Sequence, residues 1–325
     1  MYNAIELNGL KPVYVYPDMA AEDYIKSGIN GCIKPSDIEK AIINNPDAKA
    51  VIITSPTYDG VISDVAAIAK TAHEFDIPLI VDEAHGALFF MEGRSSVING
   101  ADIVINSVHK TLPAFTQTAL MHVNGRLVLK AEIRKYLRVF QSSSPSYILM
   151  GSIDYAVYVM ENYGLRLYRD FCIRTKKLKD ALNTLRYFKY VGLDKLSECG
   201  IYDFDESKVL ISTGTSGLTG KELYDILREK YYLQPEMAAG DYVLLMTTLF
   251  DSDEGVERLI NALYEADRVY TEKDICSLIN KDDFRQALIE ELERLKECLG
   301  KPSEKTVFIY PPGIPVCVKG ERVTE

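Results

Sequence analysis

Val81-Asp82-Glu83-Ala84-His85-Gly86 and, further on, Ser107-Val108-His109-Lys110 are the stretches that decide how this chain reads. Each follows an apolar, β-rich run, Pro78-Leu79-Ile80-Val81 before the first and Asp102-Ile103-Val104-Ile105-Asn106 before the second. Working outward, Ala50-Val51-Ile52-Ile53-Thr54 is a continuous apolar run, as expected of a strand covered on both faces. Pro12-Val13-Tyr14-Val15-Tyr16 and Ala119-Leu120-Met121-His122-Val123 read as further strands. Helical patterns separate these runs. Ser36 with Glu39 three residues on forms a capping box that predicts a helix over 36–42, and a second helix is predicted over about 61–75. Such alternation predicts an α/β fold, a mainly parallel sheet with flanking helices. Ligands of such sheets bind beyond the carboxyl ends of the strands. Asp82, Ser107, His109 and Lys110 are therefore expected to share one crevice, with Thr54, Ser55 and Thr57 at the same edge.

The second half changes character. A helical pattern over 126–169 is interrupted by Ser142-Ser143-Ser144-Pro145-Ser146, a turn and helix cap. Lys208-Val209-Leu210-Ile211-Ser212 and Tyr242-Val243-Leu244-Leu245-Met246 read as strands around a helix over 219–231, and a helical pattern over 254–266 follows. The glycine-rich Gly214–Gly220 stretch reads as a turn in which Thr219 caps that helix, rather than as an anion loop. The expected division is a large domain over 1–165, a smaller α+β domain over 166–270 and a C-terminal segment over 271–325. That last segment carries a charged helix over 281–298 and the turn or extended loop Tyr310-Pro311-Pro312-Gly313-Ile314-Pro315.

Composition narrows the function classes. Hydrophobic residues make up 47% and charged residues 26% of the 325 residues, ordinary for a globular protein. A net charge of −10 argues against a nucleic-acid surface, which needs clustered lysine and arginine. No apolar run approaches a membrane span, and the first residues lack a basic and apolar leader pattern. Six scattered cysteines without a C-x-x-C pair read as free thiols of a reducing cytoplasm. Four histidines in no ligand spacing make a metal site an unattractive reading.

The acid-then-lysine pairing points to pyridoxal phosphate. A lysine amine forms a Schiff base with the aldehyde, and a carboxylate keeps a proton on the pyridine nitrogen so that the ring accepts electrons. Lys110 and Asp82 fill those parts. Ala84 is small enough to lie against a ring face, and His85 lines the pocket or bonds within a buried turn. Ser107 offers a hydroxyl to phosphate or satisfies a turn amide. His109 contacts phosphate or gives a proton to the substrate carbon. Ser55 and Thr57 could reach the ring hydroxyl. For a cationic substrate end Glu236 is a candidate carboxylate, with a solvated loop acid as the plainer alternative.

Together, the segments Thr54–Gly60, Val81–Gly86 and Ser107–Ala114 resemble the Orn/Lys/Arg decarboxylases, pyridoxal phosphate enzymes of aspartate-aminotransferase fold type I. Ser142–Tyr147, Gln234–Met237 and Tyr310–Pro315 carry the same resemblance. It implies a homodimeric, cytoplasmic decarboxylase of arginine, lysine or ornithine serving polyamine metabolism, with Lys110 as Schiff-base lysine and Asp82 as pyridinium partner. The family's phosphate loop and ring-stacking histidine belong upstream of Met1. The sheet is therefore expected to be incomplete at its N-terminal side, and the chain to be an interior portion of such an enzyme. An aminotransferase or lyase of the same fold is the enzymatic alternative. The other is a non-catalytic remnant.

Overall fold

A computed structural model describes residues 2–20, 23–25, 28–214, 216–269, 301–302, 307–309 and 314–317. Met1–Val269 and Tyr270–Glu325 form two compact units. In the first, β1 (Val51–Thr54), β2 (Leu79–Asp82), β3 (Ile103–Ser107) and β4 (Ala119–Val123) lie side by side in that order. The first three are parallel and β4 is antiparallel to β3. Register sets Asp82 opposite Thr54 on one side and Ile105 on the other, so the acid and the end of β3 reach the same edge.

Helices α1 (Pro35–Asn44) and α2 (Val65–Glu74) cover one face of this sheet. Ile38 and Ile42 of α1 and Val65, Ile68 and Ala72 of α2 share a core with Val51, Ile53, Leu79, Val81 and Val104. Three expectations about this region need correcting. β1 alternates buried and exposed, with Ile52 38% exposed, because it is the edge strand and only its Val51–Ile53 side meets α1 and α2. Ser36 caps nothing: Pro35 opens α1 at a position where its missing N–H is not needed, Lys34 is the N-cap and Ser36 falls inside the first turn. Residues 61–64 precede α2, whose cap is Asp64 accepting from the Ala67 N–H at 2.9 Å. Val61–Ile62 instead pairs antiparallel with Asp203–Phe204.

Pro12–Tyr16 is not a strand either. Proline at its head brings no N–H to a ladder, and Val13, Tyr14 and Tyr16 stay exposed instead of packing on the sheet.

One turn of helix, α3 (Val108–Thr111), follows β3 directly. Then come α4 (Lys130–Phe140) and the long α5 (Tyr147–Leu182), separated at the serine cluster, where Ser146 Oγ accepts from the Leu149 N–H as a cap. A second, antiparallel sheet has the order β7-β8-β6-β5, built from β5 (Lys189–Val191), β6 (Lys208–Ser212), β7 (Met237–Ala239) and β8 (Tyr242–Met246). Between β6 and β7 runs α6 (Gly220–Tyr231), whose Thr219 makes the expected cap as a full capping box with Glu222. The helix α7 (Asp253–Val269) closes the unit.

Val61, Phe204, Leu210, Met237 and Leu244 share one buried cluster. That cluster docks the loop after β1 onto the antiparallel sheet, so residues of both sheets meet near the ends of β1–β3. In the second unit, strands Val307–Ile309 and Ile314–Cys317 pair antiparallel. The expected helix over 281–298 and residues 310–313 lie outside the described residues. No helix among the described residues is long and apolar enough to cross a membrane.

Candidate active site

The turn after β2 is held by a buried acid. Glu83 is 1% exposed; its carboxylate accepts the Ser96 N–H at 2.7 Å and the Asn106 side-chain amide at 3.1 Å, and that amide also bonds the Glu83 carbonyl at 2.9 Å. Burial pushes the Glu83 carboxyl up, while these hydrogen bonds oppose the shift. Gly86 follows because a Cβ there would stand 2.5 Å from the Glu83 side chain and 2.8 Å from Phe89. Fixed in this way, the turn leaves Asp82 half-buried at the strand end, with Oδ1 accepting the Ala84 N–H at 3.2 Å. Ala84 is partly exposed beside it and His85 is buried.

Because α3 starts where β3 ends, Lys110 stays at the same edge. Its Nζ lies 3.0 Å from His85 Nε2. Burial lowers the affinity of the Lys110 amine for its proton, opposed by the charges of Asp82 and Glu236. His109 places Nδ1 2.8 Å from the Thr118 carbonyl. A carbonyl only accepts, so Nδ1 carries the hydrogen and Nε2 keeps a lone pair when the ring is neutral. Ser107 is the N-cap residue of α3, and its side chain makes no capping hydrogen bond.

Ser55 and Thr57 sit at the same edge in the turn after β1. The Ser55 hydroxyl accepts the Ser63 N–H at 3.1 Å and the Thr57 hydroxyl accepts the Val61 N–H at 3.0 Å, and each retains its own O–H to give. Glu236, far away in sequence, acts electrostatically on Lys110 and accepts a hydrogen bond from the Tyr58 hydroxyl. The structure thus gathers every candidate near the two strand ends.

It also adds residues the sequence reading missed. Lys208, at the start of β6, is wholly buried, and its Nζ is 2.8 Å from His85 Nδ1. Tyr58 meets His85 edge-on at 4.9 Å between ring centroids, and Lys208 Nζ lies 5.6 Å from the Tyr58 ring. Asp59 is buried and accepts from the Tyr242 hydroxyl at 2.6 Å. A lysine heading an otherwise apolar run was the available signal for Lys208. Strand ends usually meet solvent, and nothing local shows that this one does not.

This donor set suits the ring and aldehyde of pyridoxal phosphate. It offers an amine made a better nucleophile by partial burial, a carboxyl group at the neighbouring strand end, and a Ser107 hydroxyl not spent on its helix.

The solved structures most like this one include two lysine decarboxylases, from Francisella novicida and the constitutive enzyme of E. coli. Each has a TM-score of 0.73 at 18% identity and matches 97% and 99% of this chain. A pyridoxamine-pyruvate aminotransferase from Mesorhizobium loti matches 72% of the chain with a TM-score of 0.55. These likenesses establish the fold, that of the type I pyridoxal phosphate enzymes. In sequence, the arginine decarboxylase of Bacillus subtilis is 31% identical over 339 residues, covering 99% of this chain. The chain spans 68% of that enzyme's length and 57% and 59% of the two solved lysine decarboxylases. Residues 1–212 match the model of the Orn/Lys/Arg decarboxylase major domain. The chain belongs to the Orn/Lys/Arg decarboxylase family.

Proposed function

We propose that this chain binds pyridoxal phosphate through Lys110 and takes part in decarboxylating arginine, lysine or ornithine to the corresponding amine. The observation that carries this reading is the placement of Asp82 and Lys110 at adjacent parallel strand ends, in a family whose curated relatives are named arginine and lysine decarboxylases. When bound, the cofactor supplies an electron sink for the bond that breaks at the substrate's α-carbon. Asp82 would hold the proton on the ring nitrogen, Lys110 would hold the aldehyde carbon, and Ser107 would give a hydrogen bond to the phosphate. Ser55 and Thr57 would offer the ring hydroxyl the O–H groups left to them.

His109 is oriented by the Thr118 carbonyl at Nδ1, so Nε2 would give a proton to the α-carbon after carbon dioxide leaves only from the doubly protonated ring. Glu236, which accepts from the Tyr58 hydroxyl, would offer its carboxyl group to the cationic end of the substrate. The charge complementarity favours a basic amino acid over a neutral one. A homodimer serving polyamine metabolism in the cytoplasm fits this reading. Exposed Leu129, Val139, Phe140, Tyr147 and Ile148, around α4 and the start of α5, offer apolar surface for a second copy.

The test is incubation of the purified chain with pyridoxal phosphate, borohydride reduction and peptide mass spectrometry. An adduct on Lys110 that disappears in Lys110→Ala is expected. Its absence at saturating cofactor would sink the proposal. Carbon dioxide release from the three amino acids then separates decarboxylation from amino transfer.

A further inference from the structure

The backbone ladder between β2 and β3 ends just before the site. Its last rung sets Asp82 opposite Ile105, and the Glu83 N–H then donates to the Ile105 carbonyl at 2.9 Å. Beyond that bond both segments leave the sheet. Glu83–Gly86 turns back on itself, with the Gly86 N–H donating to the Glu83 carbonyl at 2.9 Å, and β3 runs into the single helical turn that carries Lys110. Asp82 and Lys110 therefore hang on two segments at the point where backbone pairing stops. Keeping their spacing falls to side chains.

Asn106 supplies that hold. It is 6% exposed, and its amide nitrogen donates to the Glu83 carbonyl at 2.9 Å and to Glu83 Oε1 at 3.1 Å, one hydrogen for each. One group thus grips both the backbone and the side chain of the residue after Asp82, from a position four residues before Lys110. On the other side of the carboxylate, Oε2 accepts the Ser96 N–H at 2.7 Å and the Ser95 hydroxyl stands 3.4 Å from Oε1. These partners are neutral donors, whose bonds weaken steeply off axis, so they fix direction as well as distance. The turn they hold has Asp82 at its start and His85 near its end. Asp82 Oδ1 accepts the Ala84 N–H within it, and His85 Nε2 lies 3.0 Å from Lys110 Nζ. A shift of the turn moves both groups relative to Lys110.

We propose that Asn106 is a positioning residue for the cofactor chemistry: its amide clamps Glu83 and thereby fixes Asp82 relative to Lys110 where the backbone ladder gives out. The clamp joins the two motifs directly, one partner beside Asp82 and the other beside Ser107. A ring held at its nitrogen by one residue and at its aldehyde carbon by another needs their spacing kept to within about 0.5 Å. The inference rests on reading Asp82 and Lys110 as the cofactor pair, but its test does not involve the cofactor.

The test is acetylation of Lys110 by trace acetic anhydride at neutral pH, read by mass spectrometry in the full chain without cofactor. It is run as a cycle of Asp82→Asn and Asn106→Ala. The charge of Asp82 favours the protonated amine, so Asp82→Asn alone is expected to speed acetylation about threefold, the effect of roughly half a pKa unit. In folded Asn106→Ala the same substitution is expected to change the rate less than about 1.5-fold, because the loosened turn no longer holds Asp82 near the amine. A full threefold step there, which a role in stability alone would leave intact, would overturn the proposal. So would the absence of a step in the chain with Asn106 in place. Should Asn106→Ala not fold, hydrogen exchange of the Asn106 side-chain amide in the unsubstituted chain decides. It is expected to be about a hundredfold slower than for exposed Asn8 and Asn162, and equal rates would overturn the clamp. Failure of pyridoxal phosphate to bond Lys110 would remove the proposed function and leave the coupling result standing.

Discussion

The edge of the β1–β3 sheet and the antiparallel β5–β8 sheet meet at His85, and they serve the site in opposite ways. The parallel edge presents Asp82, Lys110, Ser107 and His109, all partly open to solvent, so a ligand can reach them. The antiparallel sheet presents Lys208, which water does not reach, between two buried carboxylates. Groups that touch a ligand must be accessible. Buried charges act on their neighbours more strongly, because low dielectric strengthens them.

The comparison breaks most visibly at Lys208. Replacing it by methionine leaves Asp59 with no cation acting on it and Asp205 with Arg94 alone, and removing one partner of such a cluster typically costs about 3–5 kcal/mol. Urea unfolding at neutral pH should show a loss of that order. A loss under about 1 kcal/mol, the scale of an exposed pair, would mean the two sheets are not joined by charge.

A smaller effect sits on the histidine between them. Its folded value of about 2 lies below the ordinary 6.5, so between those limits the unfolded chain holds a proton that the folded chain does not. Stability is therefore full above the upper limit and falls as the pH drops through this window, by up to about 1.4 kcal/mol per pH unit. Unfolding free energies of the unsubstituted chain and His85→Gln, compared at neutral pH and at mildly acidic pH, isolate that share. Parallel slopes in the two proteins would show that His85 is not held neutral.

The smallest effect belongs to the exposed side of the comparison. Glu236→Gln keeps an acceptor for the Tyr58 hydroxyl but removes the carboxyl group. It is expected to raise KM for a basic amino acid about tenfold with a smaller change in kcat, as for one charge-assisted contact made equally in the ground and transition states. A fall in kcat with KM unchanged would move Glu236 from substrate binding to the chemistry.

Much of this was legible because it is local. Asp82 and Lys110 announce themselves as polar residues closing apolar runs, and Ser146 and Thr219 as caps before helical periodicity. Where local signals competed, the surroundings decided the outcome. Pro12–Tyr16 has strand-forming residues but no partner strand among the described residues, and Ser36 had a capping-box spacing that Pro35 pre-empted by moving the cap two residues earlier, to Lys34. Glu83 looked like a spacer between Asp82 and Ala84, yet it holds the turn through Ser96 and Asn106. No spacing in the chain shows those partners.

By itself, the sequence determined the α/β alternation, the strand ends where chemistry sits and the kind of chemistry those residue types support. Each depends on periodicity or on neighbours a few positions apart. Tertiary structure alone decided that Glu236 faces Lys110, that Ser55 and Thr57 brace their own turn, and that Lys208 lies against His85 from 123 residues away. Those facts depend on how two sheets dock through Val61, Phe204 and Leu210, and on the burial that docking imposes on a charge. Burial is a property of the packed whole and has no local signature.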